Sequence, residues 1–328
     1  MKAAELVAPC EIRVGNIETP EPGPGEIRVK VALCGLCGSD HSLFHGKMGV
    51  RLPVIPGHEA VGSVEKIGPG VQGFSTGQRV TIQPNFPCRQ CDVCRGGNEN
   101  ICPSKVRLGL DINGTFAEYV KVPAAFLHPI PDGLEDAVAV FAEPLAVGVH
   151  ALKIASPRPG ERTLVLGAGV IGLLILQLAM LRGGDVSACD LEPRRLDVAK
   201  ALGAAHAATP EDISTVCGKG YDLIYETSGA APALAQAIHL AAPKGRIAVL
   251  SLPAKEHPVP TTMIVRKELA IVGSIIYTDE FPLAIQTLYT GRVNTNAITS
   301  GVYRLEEAGR LLTTYAAPER LKVLLTLD

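Results

Sequence analysis

At 328 residues, 47% hydrophobic and 20% charged, the chain is long enough for two domains and too apolar to be disordered. Its 31 Lys and Arg against 33 Asp and Glu leave a formal charge of −2, and aromatic residues make up only 4%, with no tryptophan. That balance suits neither a nucleic-acid partner nor an anionic membrane surface. The N-terminal stretch MKAAELVAPCEIRV lacks the long apolar core of a signal peptide, so the cytoplasm is the expected compartment. Nine cysteines in a reducing compartment point to metal ligands or small buried residues rather than disulfides.

Up to about residue 145, short β-like runs broken by Gly and Pro predict strands at 26–35, 60–68, 78–84 and 115–123, and so a mostly β domain. Three clusters of ligand-type residues fall in this half. Cys37 lies in CGLCGSD (34–40), and His58 and Glu59 lie in PGHEAVG (56–62). Glu143 lies in FAEPLAVG (141–148). One Cys, one His and a carboxylate suit a catalytic zinc that keeps a position open, but their spacing alone does not establish it.

The segment CRQCDVCRGGNENIC is more telling. Cys88, Cys91, Cys94 and Cys102 follow the spacing C-x2-C-x2-C-x7-C. Four thiolates can close a tetrahedron around Zn2+, leaving no position for a substrate, so the expected contribution is to fold the lobe. An iron–sulfur cluster could use the same ligands. A nucleic-acid-binding ribbon is a further alternative, although Arg89 and Arg95 against Asp92 and Glu99 make no cationic surface.

After Pro144 the texture changes. Residues 145–155 read as a helix, and strand-like and helix-like runs then alternate to about residue 288, predicting a parallel sheet with helices on both faces. Within it, TLVLGAGVIG (163–172) sets Gly167, Gly169 and Gly172, with Val170 and Ile171 between them, in the pattern G-x-G-x-x-G. The three glycines allow a tight turn, a close backbone approach to a pyrophosphate, and close helix–strand packing. The next strand, DVSACD, ends at Asp190, whose carboxylate can accept ribose hydroxyls and repel a 2′-phosphate, favouring NAD over NADP. Arg194 and Arg195 lie nearby and could hold a phosphate.

CGSD, then GHE, then the four cysteines, then EPLA, then GAGVIG occur in that order. The order resembles that of the zinc-dependent medium-chain alcohol dehydrogenases across essentially the whole chain, and EPLA resembles the polyol (sorbitol) and threonine dehydrogenase branch. The resemblance implies a GroES-like, mostly β catalytic domain at 1–144 and 289–328, with a structural-zinc lobe at 86–104. It implies a Rossmann-type, doubly wound parallel sheet at 145–288. Two zinc ions per chain and NAD are the implied cofactors, and the implied reaction is reversible oxidation of a secondary alcohol to a ketone. Cys37 and His58 would bind the catalytic zinc. Glu143 would bind it directly or through water, with Glu59 beside it as an exchanging ligand. Asp40 would orient His58 through its other ring nitrogen, and Ser39 would touch the substrate hydroxyl. Lys322, in LKVLLTL, would reach the cofactor pyrophosphate, with Arg195 also at the cofactor.

Homodimers or homotetramers joined through the sheet edge are implied as well, with ELAIVGSIIY (268–277) as the candidate edge. One departure stands out. Where many relatives have a histidine five residues after the zinc cysteine, this chain has Ser42, flanked by His41 and His45. Leu43, Phe44, Phe116 and Glu118 are candidates for lining the substrate pocket or for core and surface positions. Two rival readings are a zinc-free alkene or quinone reductase of the same fold and a non-catalytic NAD-binding protein.

Overall fold

The computed structural model describes residues 1–216, 218–253, 255–317 and 320–327. By internal contacts the chain divides into two compact units. The first is Met1–Glu143, Ala284–Thr290 and Thr299–Asp328, and the second is Pro144–Leu283 and Gly291–Ile298.

The first unit opens with a hairpin, β1 (Lys2–Ala8) and β2 (Glu11–Asn16), followed by β3 (Glu26–Gly35), helix α1 (Gly38–Phe44) and β4 (Glu59–Ile67). Then come β5 (Arg79–Ile82), β6 (Asn85–Phe86), the one-turn helix α2 (Asp92–Arg95), β7 (Val106–Arg107), β8 (Tyr119–Pro123), β9 (Leu127–Pro129) and α3 (Asp136–Ala139). The hairpin and α1 carry little periodic signal in the sequence. The predicted strand 115–123 is shorter than expected, because Thr115 and Phe116 leave the ladder to pair their N–H groups with Gly57 O and Pro56 O.

The second unit runs from α4 (Ala142–Ala155) through β10 (Arg162–Leu166), α5 (Val170–Met180), β11 (Asp185–Cys189), α6 (Pro193–Ala201), β12 (His206–Ala208) and α7 (Ile213–Val216). It continues with β13 (Tyr221–Glu226), α8 (Ala233–Leu240), β14 (Ala241–Val249), α9 (Thr261–Lys267), β15 (Ala270–Gly273) and the start of α10 (Phe281–Tyr289). Its six strands are parallel in the order β12-β11-β10-β13-β14-β15. That is a doubly wound sheet whose strand order reverses between β10 and β13, the point where such sheets open a crevice at their carboxyl ends. β10 is buried along most of its length because helices cover both faces. Helix α5 buries every residue from Gly172 to Ala179.

The chain then returns to the first unit with β16 (Thr299–Arg304), α11 (Ala308–Thr313) and β17 (Lys322–Thr326). Here the sheet order is β16-β17-β3-β4-β5-β9, with β8 also pairing β3. Strand β17 therefore lies on one side of the end of β3, and β4 on the other. Gly35 faces Glu59 in one register and Leu324 in the other. The helical stretch Asp136–Ala155 is apolar enough to cross a bilayer, but 67% of its most apolar window is buried in the fold, as in a core helix.

Candidate metal centres and dinucleotide site

The end of β3 organises the first cluster. The chain leaves Gly35, and Cys37 caps the amino end of α1 in an extended conformation. Asp40, in the first turn of α1 and fully buried, accepts the Cys37 N–H on Oδ2 at 2.9 Å and the Gly57 N–H on Oδ1 at 3.1 Å. One carboxylate thus ties the Cys37 turn to the backbone just before His58. The antiparallel β3–β4 ladder then brings Glu59 alongside Gly35. As a result the Cys37 sulfur, a His58 ring nitrogen and a Glu59 oxygen all lie within 4.8 Å of one another.

The two nitrogens of His58 face different neighbours. Nδ1 is 3.4 Å from Asp40 Oδ1, a separation too long for a good hydrogen bond. Nε2 is 3.4 Å from the Ser39 hydroxyl. Burial disfavours a charged imidazole, but Asp40 and Cys37 outweigh it and hold the His58 pKa well above its ordinary value. Lys322 behaves alike: burial opposes its ammonium, yet Glu59, Cys37 and Glu143 raise its pKa above the usual lysine value. The cluster therefore stabilises positive charge, and its donors are one soft sulfur, one imidazole and one carboxylate. Such a set fits zinc.

Glu143, buried in the first turn of α4, lies outside that tight group and acts on it through the charge of Lys322. Lys322, expected at the cofactor pyrophosphate, has its Nζ donating to Glu59 Oε2 at 2.5 Å and to Leu36 O at 3.0 Å. The cause is the pairing of β17 with β3, which starts β17 beside the metal-type cluster. Leu43, Phe44 and Phe116 belong to the hydrophobic core, and Glu118 accepts the Lys2 N–H at 2.7 Å.

The second cluster is the four-cysteine lobe. Its sulfurs also fall within 4.8 Å of one another. Cys88 to Cys94 and Cys91 to Cys102 are both 3.9 Å apart, and Cys88 to Cys102 is 3.5 Å. A tetrahedron with metal–sulfur bonds of about 2.3 Å has edges of about 3.8 Å, whereas a disulfide needs about 2.05 Å. Backbone N–H groups of Gln90 and Cys91 hold the Cys88 thiol down at about 6. Four sulfurs so close cannot all ionise without a cation to balance them, so the lobe fits a closed zinc site.

In the second unit, β10 runs into the glycine turn. Gly167 has φ +99°, in the left-handed region that glycine alone occupies without strain. A Cβ at Gly172 would sit 1.8 Å from Gly167 O, so α5 can start this close to the strand only with glycine there. Gly169 caps α5, with Val170 and Ile171 in its first turn. Asp190 follows β11 and braces this turn, accepting the Ala168 N–H on Oδ2 at 2.7 Å and the Glu192 N–H on Oδ1 at 2.9 Å. Arg195 Nη1 lies 3.8 Å from Asp190 Oδ2.

Two residues at the end of β13 escaped the sequence reading. Thr227 Oγ1 reaches both Leu166 O (3.0 Å) and Gly167 O (2.8 Å), supporting the glycine turn from the neighbouring strand. Buried Glu226 accepts the Ser228 and Gly229 N–H groups at 2.8 and 3.0 Å and the Ser251 hydroxyl. The run ETSG was their only signal, and its meaning depends on β13 lying next to β10.

Residues 23–132 match the alcohol dehydrogenase GroES-like domain, and residues 170–290 match the zinc-binding dehydrogenase domain. The sorbitol dehydrogenase of Bacillus subtilis is 33% identical over 321 residues, covering 94% of this chain and 91% of that protein. The chain belongs to the zinc-binding alcohol dehydrogenase family. Two solved structures of the family superpose closely. A zinc-binding dehydrogenase of Sinorhizobium meliloti bound to NADP matches with a TM-score of 0.96 at 32% identity, covering 99% of this chain and 98% of that one. The short chain alcohol dehydrogenase of Escherichia coli complexed with NADH matches with a TM-score of 0.94 at 30% identity and 99% coverage of both. The family membership agrees with the expected GroES-like and Rossmann-type folds and with a zinc- and nicotinamide-dependent oxidoreductase.

Proposed function

We propose that this dehydrogenase oxidises a secondary alcohol of a polyol or sugar alcohol to the ketone, reversibly and with NAD. The observation that carries this reading is the convergence of Cys37, His58 and Glu59 within 4.8 Å, in a cluster that stabilises positive charge. The sorbitol dehydrogenase relative supports the substrate class. A zinc-free reductase would leave that convergence unexplained.

When bound, zinc would supply the Lewis acidity that makes a hydroxyl acidic near neutral pH, and the nicotinamide would take the hydride. Cys37 and His58 would hold the metal, with Glu59 as an exchanging ligand and Glu143 binding directly or through water. Asp40 keeps His58 in place from the Nδ1 side, leaving Nε2 on the side of Ser39. The Ser39 hydroxyl receives the alcohol proton and passes it towards solvent. Lys322 is paired with Glu59 and would compete with the metal for that carboxylate. The sulfurs of Cys88, Cys91, Cys94 and Cys102 hold a second zinc that serves the fold.

In the coenzyme unit, Gly167, Gly169, Val170, Ile171 and Gly172 accept the pyrophosphate. Asp190 favours NAD by repelling a 2′-phosphate, with Arg195 beside it. We further assign the protein to the cytoplasm and to a homodimer or homotetramer. β15 is the terminal strand of its sheet, which suits edge-to-edge pairing. A screen of polyols and their ketoses with NAD and NADP in parallel tests the reading. NAD-linked turnover of at least one polyol is expected, and the absence of any alcohol-dependent reduction of either coenzyme would overturn it.

A further inference from the structure

Outside both metal clusters, a thiol and an imidazole meet at the protein surface. Cys10 sits in the turn of the β1–β2 hairpin with φ +62°, and its N–H donates to Phe44 O at 2.7 Å. That bond fixes the turn on the carboxyl end of α1. His45 caps that end, its N–H bonded to His41 O at 3.1 Å, and its ring packs edge-on against Phe44 and His41. Backbone contacts thus position both side chains before they meet. Cys10 Sγ lies 3.2 Å from His45 Nδ1, close enough for the S–H to donate to the ring when Nε2 carries the imidazole proton.

The other described cysteines are differently placed. Cys34 and Cys189 are buried, and burial raises both thiols, Cys189 to about 12. Cys37, Cys88, Cys91, Cys94 and Cys102 belong to the two metal groups. Among the described cysteines only Cys10 is exposed. The titratable groups around His45 are Cys10 itself, His41 on the same helix and Lys47 in the following loop. Loss of water first, then the charges of His41 and Lys47, holds the His45 imidazole below its ordinary pKa. It is therefore neutral and able to accept a proton at neutral pH. His41 is committed elsewhere, with Nδ1 on Leu312 O at 3.0 Å and its ring stacked on Tyr315.

We propose that Cys10 and His45 form a thiol–imidazole pair that exchanges with low-molecular-weight disulfides. Cys10 Sγ attacks one sulfur of a disulfide R–S–S–R while its proton passes to His45 Nδ1. The R–S–S–R bond breaks, a Cys10–S–S–R bond forms, and RS⁻ leaves and collects the proton as RSH. Cys10 is oxidised and the small disulfide is reduced, so no other reactant is needed.

The test uses the full-length, zinc-loaded protein and dithiodipyridine, an uncharged disulfide whose released thiopyridone is followed by absorbance, with peptide mapping of the label. One thiol per chain should react in a fast phase and map to Cys10. Cys10→Ser should lose that phase, and so should Cys10→Asn, a residue that tolerates the left-handed backbone. His45→Phe keeps the ring packing and should slow the phase about tenfold at neutral pH. An unassisted thiol is only a few per cent ionised there, so full assistance is worth no more than about thirtyfold. The gap should close above about pH 9, where the thiol ionises unaided. A fast label on another cysteine, a fast phase surviving in both Cys10 variants, or a His45→Phe rate equal to wild type from about pH 6 to 9 would each overturn the proposal.

Discussion

Lys322 Nζ lies 2.5 Å from Glu59 Oε2, and the two side chains are 4% and 2% exposed. A charge pair this deep is costly to break from one side. Lys322→Met should destabilise the protein by about 3–5 kcal/mol, because it strands a buried carboxylate. Removing both charges in Lys322→Met/Glu59→Gln should recover part of that loss. Urea unfolding midpoints of the two variants against wild type measure this. Equal midpoints for the single variant and wild type would show that the pair carries no net stability.

Thr227 bridges two carbonyls of the glycine turn without touching a reacting atom. Thr227→Val leaves Gly167 O short of a donor, while Leu166 O keeps the backbone N–H of residue 227 at 2.9 Å, at a cost of about 1 kcal/mol. The KM for the nicotinamide cofactor should rise roughly fivefold with kcat nearly unchanged. Steady-state kinetics at saturating alcohol separate the two parameters.

Much of this design is legible in the residues, and what is not has a physical reason. The four-cysteine spacing and G-x-G-x-x-G report local constraints, a closed tetrahedron and a turn with no room for a Cβ, so short windows reveal them. The roles of Lys322, Thr227 and Glu226 come instead from which strands are neighbours. Lys322 meets Glu59 only because β17 pairs with β3, and Thr227 meets Gly167 only because β13 pairs with β10. No window of sequence contains those pairings. Helix α1 was equally hidden: a seven-residue helix capped by cysteine shows neither the usual capping residue nor a periodic apolar face. Leu43 and Phe44 were ambiguous from spacing, and packing resolved them into the core.

Asp190 spends both carboxylate oxygens on backbone N–H groups and keeps its charge at the glycine turn. Asp190→Asn removes that charge while leaving an oxygen for Ala168. The ratio of kcat/KM for NADP over NAD should rise about tenfold, the scale of one charge-assisted contact. Parallel assays with the two coenzymes give the ratio.

Glu280, like Glu226, is a buried acid of the second unit. It accepts His150 Nδ1 at 3.0 Å, Lys153 Nζ at 2.8 Å and the Thr278 N–H at 2.6 Å. Burial works to raise its pKa, but these three partners outweigh it and leave the carboxyl well below the ordinary range. A depressed folded-state pKa stabilises the fold above the unfolded value, near 4.5, and that stability is lost as pH falls towards the folded value. Glu280→Gln should therefore be less stable than wild type at neutral pH and lose less on acidification below about 4.5. Thermal unfolding midpoints across that range measure it, and parallel pH curves for the two proteins would contradict the assignment.

The most direct measurement is zinc per chain, taken together with turnover, in wild type and Cys37→Ser. Wild type should carry about two zinc ions and Cys37→Ser about one, the latter with the four-cysteine lobe intact, coenzyme still bound and no alcohol oxidation. A fully active wild type holding zinc only among Cys88, Cys91, Cys94 and Cys102 would contradict a catalytic metal at Cys37 and His58, as would a Cys37→Ser variant that turns over at the wild-type rate.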